Sequence, residues 1–459
     1  MTVCFRIGEL TCKSADVCLI RFVLTAMRPP IFGIFLLLTM LGVAQAQHPQ
    51  RVAVNHGVRD IFSLPKGRVP KTTVITSVTV IDGKGGVPLK DATIVLSEGK
   101  IHAVGPRQTV TIPQGADVVE GEGLTLLPGL MDAHFHLDRD GELPPLYLSH
   151  GVTSVRDPGA WIEDYAQLIQ KDGFKPRLFL AGPHLDYPPP AYPSDSLIVR
   201  DTTETRLAVN RLIDGGATVI KVYFRLPLAL IETVTETAHA RGIPVTAHLE
   251  IVEAEDAIRA GIDGLEHVTS VGTALLPPRE AEVYRQSVLA DNEARQEGRY
   301  RVWSEIDLNS PRVQALFELM KQRNTTLSPT LAVFERRSGD RDVTDMHVRA
   351  FRQMMRFVGL ANRAGVRLVV GSHSSVPHAE RGWAYQREME LLVESGLTPI
   401  QAIQAATIEN ARFFRVEDRI GSLEVGKQAD LLLVEGDPSQ DVSAMRRVRR
   451  VMISGVWVE

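Results

Sequence analysis

Cysteine is almost missing from this chain: there are three, Cys4, Cys12 and Cys18, and all precede Met27. The sequence beyond that point offers no thiol nucleophile, no thiolate metal ligand and no disulfide. Strong charge is missing too. The formal net charge is −4, and no Lys/Arg run with interleaved aromatics occurs, which argues against a nucleic-acid partner. Neither an internal repeat nor a low-complexity linker divides the sequence. What is present is 459 residues, 44% of them hydrophobic and 23% charged, enough to bury one large core or two modest ones.

One apolar run stands apart near the N-terminus. Met27-Arg28-Pro29-Pro30 precedes the apolar residues 31–43, and Ala44-Gln45-Ala46 supplies a small-x-small pattern before Gln47. The run is short for a membrane span, and no second one follows. The pattern predicts a signal peptide over 27–46, cleaved after Ala46, and a protein that is exported, periplasmic or secreted, with no stable membrane span after cleavage. An uncleaved anchor is the alternative. Whether translation starts at Met1 or Met27 stays open. Export without disulfides is compatible with a bacterial periplasm.

The chemistry begins at LTLLPGLMDAHFHL, where His134 and His136 follow an apolar stretch. A strand returns every second side chain to one face, so both imidazoles project together at the strand's end, where a divalent cation could take both. With 13 histidines in the chain, such a pair could equally be two packed rings. Further polar residues close other strand-like runs: Lys221 ends ATVIK, His248 ends IPVTAH, His267 ends DGLEH and His373 ends VRLVVGSH. Helix-like segments lie between the runs, as in 204–213, 228–240, 252–260 and 348–364. Eight strand candidates alternate with helices between residues 129 and 373: GLMDAHFHL, VTSVRD, RLFLAG, TVIKVYF, PVTAHLE, GLEHV, TLSPTLAV and RLVVGSH. The expected fold class is therefore α/β, a (β/α)8 TIM barrel with catalytic groups gathered at the C-terminal ends of its strands.

From about residue 70 onward these motifs resemble the amidohydrolase superfamily of metal-dependent hydrolases, most of all its imidazolonepropionase-like and prolidase-like branches. The resemblance implies His134 and His136 on the first strand, a carboxylated Lys221 on the fourth, and His248 and His267 on the fifth and sixth, together holding one or two divalent metal ions, most simply zinc. It also implies a small β-sandwich domain built from both chain ends, 50–128 and 422–459, around a hydrolase barrel at 129–421. One position departs. Relatives read Gly-(Thr/Ser)-Asp on the eighth strand, where the Asp contacts a metal and takes the proton of the attacking water. This chain reads Gly371-Ser372-His373.

Residue chemistry supports the assignment. Imidazole nitrogens suit zinc and similar cations, and a buried lysine near cations loses its proton readily and can add carbon dioxide to become a bridging carbamate. The expected reaction is hydrolysis, by a metal-activated water, of a C–N bond in a cyclic amide, dipeptide or N-acyl amino acid. His373 then has three readings: a catalytic base, slightly preferred; a metal ligand; or the sign of a silent binding protein on the same scaffold. A barrel of unrelated chemistry, such as an isomerase with structural histidines, is a further rival. Tyr223 and Arg225 share the fourth strand's end with Lys221 and are candidates for a substrate carboxylate. The loop after His373 adds His378, Glu380, Arg381 and Trp383. The charged insertion 272–309 is a candidate lid or a plain surface excursion. Expected partners are a small-molecule substrate and, in a homo-oligomer, other copies of the chain.

Overall fold

The computed structural model describes residues 61–64 and 67–458. The proposed signal segment 27–46 lies outside them.

Short buried strands, most of them followed by a helix, run through the centre of the sequence. Leu130–Asp132, Val152–Asp157 and Arg177–Leu180 form a parallel three-stranded sheet. Ser196–Ile198, His184–Asp186, Ile220–Val222, Val245–Ala247, Gly264–Glu266 and Thr326–Ser328 form a parallel sheet of six in that spatial order. These strands are almost wholly buried on both faces, so no apolar–polar alternation marks them, and the polar residues they carry, such as Arg156 and Glu266, are buried as well. Thr218 N–H donates to Leu180 O at 2.9 Å between the two sheets, and on the other side the segment 367–370 bridges them, with Leu327 N–H donating to Arg367 O at 2.9 Å and Ala133 N–H to Val370 O at 2.9 Å. The expected strand RLVVGSH contributes only this kind of pairing, with a lone parallel bridge between Leu327 and Leu368. The pair of strands His184–Asp186 and Ser196–Ile198 was not among the expected eight.

The helices have local causes. Asp201 caps Thr202–Asp214 by accepting from Glu204 N–H at 2.8 Å. Thr344 and His347 form a capping box for Asp345–Ala364, whose buried Phe351, Met354, Phe357, Val358 and Ala361 recur at helical spacing, and Gly365 ends it in the left-handed conformation. The insertion 272–309 is built of the helices Gly272–Leu275, Pro278–Ala290 and Ala294–Glu305, with Tyr284, Tyr300, Val302 and the fully buried Trp303 turned into the main core.

Both described ends of the chain meet in one eight-stranded sheet. Leu431–Glu435 pairs antiparallel with Leu124–Pro128, Val448–Ile453 extends that edge, and Thr73–Val80, Leu89–Ser97 and Lys100–Pro106 extend the other. Its own apolar cluster includes Ile75, Ile94, Leu96, Leu126, Leu431 and Met452. Buried Arg177 ties this sheet to the three-stranded one, meeting Asp430 through Nε at 2.6 Å and Nη2 at 2.8 Å and donating to Ser454 Oγ at 2.7 Å. Removing one member of such a buried pair costs about 3–5 kcal/mol.

A candidate metal centre at the strand ends

Five imidazoles and one amine converge where the parallel strands end. His134 Nε2 and His136 Nε2 lie 3.1 Å apart. Two nitrogens bound to one tetrahedral ion at zinc distances would be separated by about 3.3 Å. The ring centres of His134 and His267 are 4.5 Å apart, those of His248 and His267 4.6 Å, and those of His136 and His373 4.7 Å. Ligand atoms of His134, His267 and His373 all fall within 4.8 Å of one another. Lys221 is buried beside them, and its Nζ has no hydrogen-bond partner among the described residues.

For three of the rings the second nitrogen is already engaged, which turns the first inward. His134 Nδ1 meets Glu266 Oε2 at 2.7 Å, His267 Nδ1 meets Thr330 Oγ1 at 2.7 Å, and His248 Nε2 meets Glu250 Oε1 at 3.2 Å. These partners are themselves held. Arg156 Nη2 donates to Glu266 Oε1 at 2.5 Å, and the Tyr284 hydroxyl donates to Glu250 Oε2 at 2.6 Å. Hydrogen bonds of this kind orient imidazoles toward a bound cation. Asp132, two residues before His134, accepts from His134 N–H at 3.0 Å and from Ser372 N–H at 2.9 Å, tying the first strand to the eighth.

Burial sets the electrostatics. It pushes His136 and His248 down to about 4 and His373 to about 3, and holds His134 and His267 well below the usual imidazole range. Burial also lowers the Lys221 ammonium to about 7, more than the nearby Glu266 carboxylate restores. The donor set is thus a group of neutral imidazoles with free lone pairs and an unpartnered amine that gives up its proton near neutrality. That set fits a divalent transition metal.

The other sequence-predicted residues fall in different places. The Tyr223 ring packs 4.2 Å from the His184 ring and 4.9 Å from the His248 ring, within the site. Arg225 is not brought there: its guanidinium donates to Asn292 Oδ1 at 2.7 Å and to Val288 O at 3.2 Å, at the end of the helix Pro278–Ala290. His378 meets Asp340 at 2.9 Å, Arg381 meets Asp140 at 2.6 Å, Glu380 is exposed, and Trp383 stacks on His150 at 3.8 Å. The insertion is more than a surface excursion, since it supplies Tyr284 behind His248. Arg299 from its last helix stands 4.0 Å from Glu250.

Sequence reasoning missed Glu266, Arg156, Glu250, Thr330 and His184. Glu266 adjoins His267, and Glu250 follows His248 by two residues just past the end of the strand Val245–Ala247, so both had a local signal. Nothing in the sequence joins Thr330 or Arg156 to a histidine.

The sequence profile of the amidohydrolase family matches residues 147–458. An imidazolonepropionase of Idiomarina loihiensis is 40% identical over 63 residues, 14% of this chain and 15% of that protein. An adenine deaminase of Mesorhizobium japonicum is 25% identical over 404 residues, 84% of this chain but 56% of its own length, so the chain spans about half of that relative. Among solved structures, a Xaa-Pro dipeptidase with methionine bound in its active site superposes with a TM-score of 0.65 at 23% identity, over 84% of this chain and 100% of the other.

Proposed function

The chain belongs to the amidohydrolase family, and on that premise we propose that it is a metal-dependent hydrolase cleaving a carbon–nitrogen bond in a small molecule. The observation that carries the reading is the convergence of His134, His136, His248, His267 and His373 around the Lys221 amine, which has no hydrogen-bond partner among the described residues. These side chains would hold one or two divalent cations, zinc being the best match to an imidazole-rich set. Lys221, its ammonium lowered to about 7 by burial, is suited to carboxylation. Bound there, the metal supplies Lewis acidity toward a carbonyl and acidifies a water.

The chain's own residues supply orientation and dryness. Glu266, Glu250 and Thr330 fix which nitrogen of each histidine faces inward. His373 is better suited to ligation than to proton transfer: it lies close to His134 and His267, and an imidazole pushed down to about 3 is a weak base at neutral pH. Tyr223 would contact substrate, its hydroxyl having no hydrogen-bond partner among the described residues. The strand ends are those of a (β/α)8 barrel, and the eight-stranded sheet is the accompanying sandwich domain.

The substrate proposed is a dipeptide, N-acyl amino acid or cyclic amide. A deaminase and a dipeptidase among the relatives break C–N bonds by name. The second reading, a silent binding protein, rests on His373 standing where relatives carry the proton-accepting Asp. Export, proposed from the 27–46 pattern, is checked by N-terminal sequencing of protein made in its host, which should begin near Gln47. For the hydrolase, metal analysis is combined with a screen of dipeptides, N-acyl amino acids, cyclic imides and lactones. Lys221→Ala and His248→Ala should each lower bound metal and abolish turnover, and bicarbonate should aid metal recovery by stripped protein. Full metal content and activity in both variants would overturn the assignment.

A further inference from the structure

His184, another buried histidine, sits at the start of the strand His184–Asp186, outside the proposed ligand set. Its Nε2 lies 2.8 Å from Ser196 Oγ. That hydroxyl has a single proton, and it donates it to the Tyr192 carbonyl oxygen at 2.7 Å, which can only accept. Ser196 must therefore accept from His184, so the ring carries its proton on Nε2 and a lone pair on Nδ1.

No described residue donates to that lone pair. Nδ1 faces the gap at Gly159, where a Cβ would lie 3.9 Å from Nδ1 and 3.7 Å from His136 Cε1. Gly159 thus leaves at least a methyl-sized position unfilled beside His184 Nδ1 and His136 Cε1, and the Tyr223 ring centre lies 4.2 Å from that of His184. Burial, with Lys221 and His248 nearby, keeps the ring well below its ordinary pKa, hence neutral and an acceptor.

We propose that His184 is a specificity-determining hydrogen-bond acceptor of fixed tautomer, which selects substrates that present an N–H or O–H donor in the gap beside Gly159. The proposal deepens the hydrolase reading and rests on it for the location of the substrate. A site whose buried acceptor is satisfied by a substrate donor discriminates strongly against an analogue lacking that donor, because the acceptor is then left dry and unpaired.

Two measurements test it. Long-range ¹H–¹⁵N spectra of the metal-free protein should show the Nε2–H tautomer for His184, identified by its loss in His184→Ala, and should show a mixture in Ser196→Ala. Separately, a dipeptide, its N-methylated amide and its des-amino analogue are compared with wild type, His184→Ala and Gly159→Ala. The comparison uses kcat/KM where the compound is turned over and Kd by calorimetry where it is not. One donor deletion should weaken wild type by about tenfold or more and His184→Ala hardly at all. Gly159→Ala, whose new methyl makes only ordinary contacts, should fold normally and weaken all three compounds.

An Nδ1–H tautomer in wild type overturns the proposal. So does equal loss in wild type and His184→Ala for every donor deletion, or no binding of any of the three compounds. Discriminating binding without turnover supports the His184 role and counts against the hydrolase reading alone.

Discussion

His134 Nδ1 lies 2.7 Å from Glu266 Oε2, and the other oxygen of the same carboxylate takes a hydrogen bond from buried Arg156. The carboxylate is therefore shared between a guanidinium and an imidazole facing the metal site. Glu266→Gln is expected to lower metal affinity by about 10–100-fold while the fold survives. Arg156→Met, which strands a buried carboxylate, should cost about 3–5 kcal/mol of stability. Chelator competition reads the first effect and urea unfolding the second.

His373→Ala separates ligation from proton transfer. Ligation predicts loss of bound cation together with activity. Retention of full metal with turnover lost, and with an acidic limb in the wild-type rate profile, would return His373 to the base role.

Glu388 is fully buried and accepts from Leu331 N–H at 2.9 Å and Ala332 N–H at 2.7 Å, at the turn that carries Thr330 and hence His267. Burial raises its carboxyl from the ordinary 4.5 to about 8. A folded-state pKa above the unfolded one means that the native protein binds the extra proton between these values. Stability is therefore fullest below pH 4.5 and falls as pH rises toward 8, by at most about 1.4 kcal/mol per pH unit. Glu388→Gln carries no such slope. Its deficit against wild type, measured by urea unfolding, should be larger at pH 5 than at pH 8, and an equal deficit at both would refute the argument.

Gly371 is packed against the first strand so closely that a Cβ there would fall 2.7 Å from His134 Cβ and 3.1 Å from His134 N. Gly371→Ala should cost about 1–3 kcal/mol and weaken metal binding at the same time, since the backbone carrying His134, and Ser328 beside it, have to move. Thermal unfolding with and without metal tests both parts.

Tyr223 and Arg225 should behave differently despite their adjacency. Tyr223→Phe is expected to raise KM with little change in melting temperature. Arg225→Ala should lower the melting temperature and leave KM unchanged, because its Nη1 holds Val288 and Asn292.

These two residues also show what the sequence could and could not disclose. Strand period puts residues 221, 223 and 225 on one face, and the structure keeps Lys221 and Tyr223 at the site. The strand ends at Val222, however, and Arg225 follows the turn toward the insertion. The histidines and Lys221 were legible because each closes an apolar run. Their supporting partners were not, because Thr330 meets His267 across 63 residues and Arg156 meets Glu266 across 110, separations that only the finished topology brings together. His184 was overlooked because its short strand follows a glycine and a proline and has no apolar run of its own.

The depressed imidazoles have a consequence for how the site would fill. His136 and His248 at about 4 and His373 at about 3 have already lost their protons in neutral solution. Cation capture there displaces no protons from these rings, so the protons released on loading come from Lys221 and from any water the cation acidifies. Across mildly acid pH, metal uptake should owe little of its acidity dependence to these three rings, and titration in buffers of different ionisation enthalpy would count the protons released.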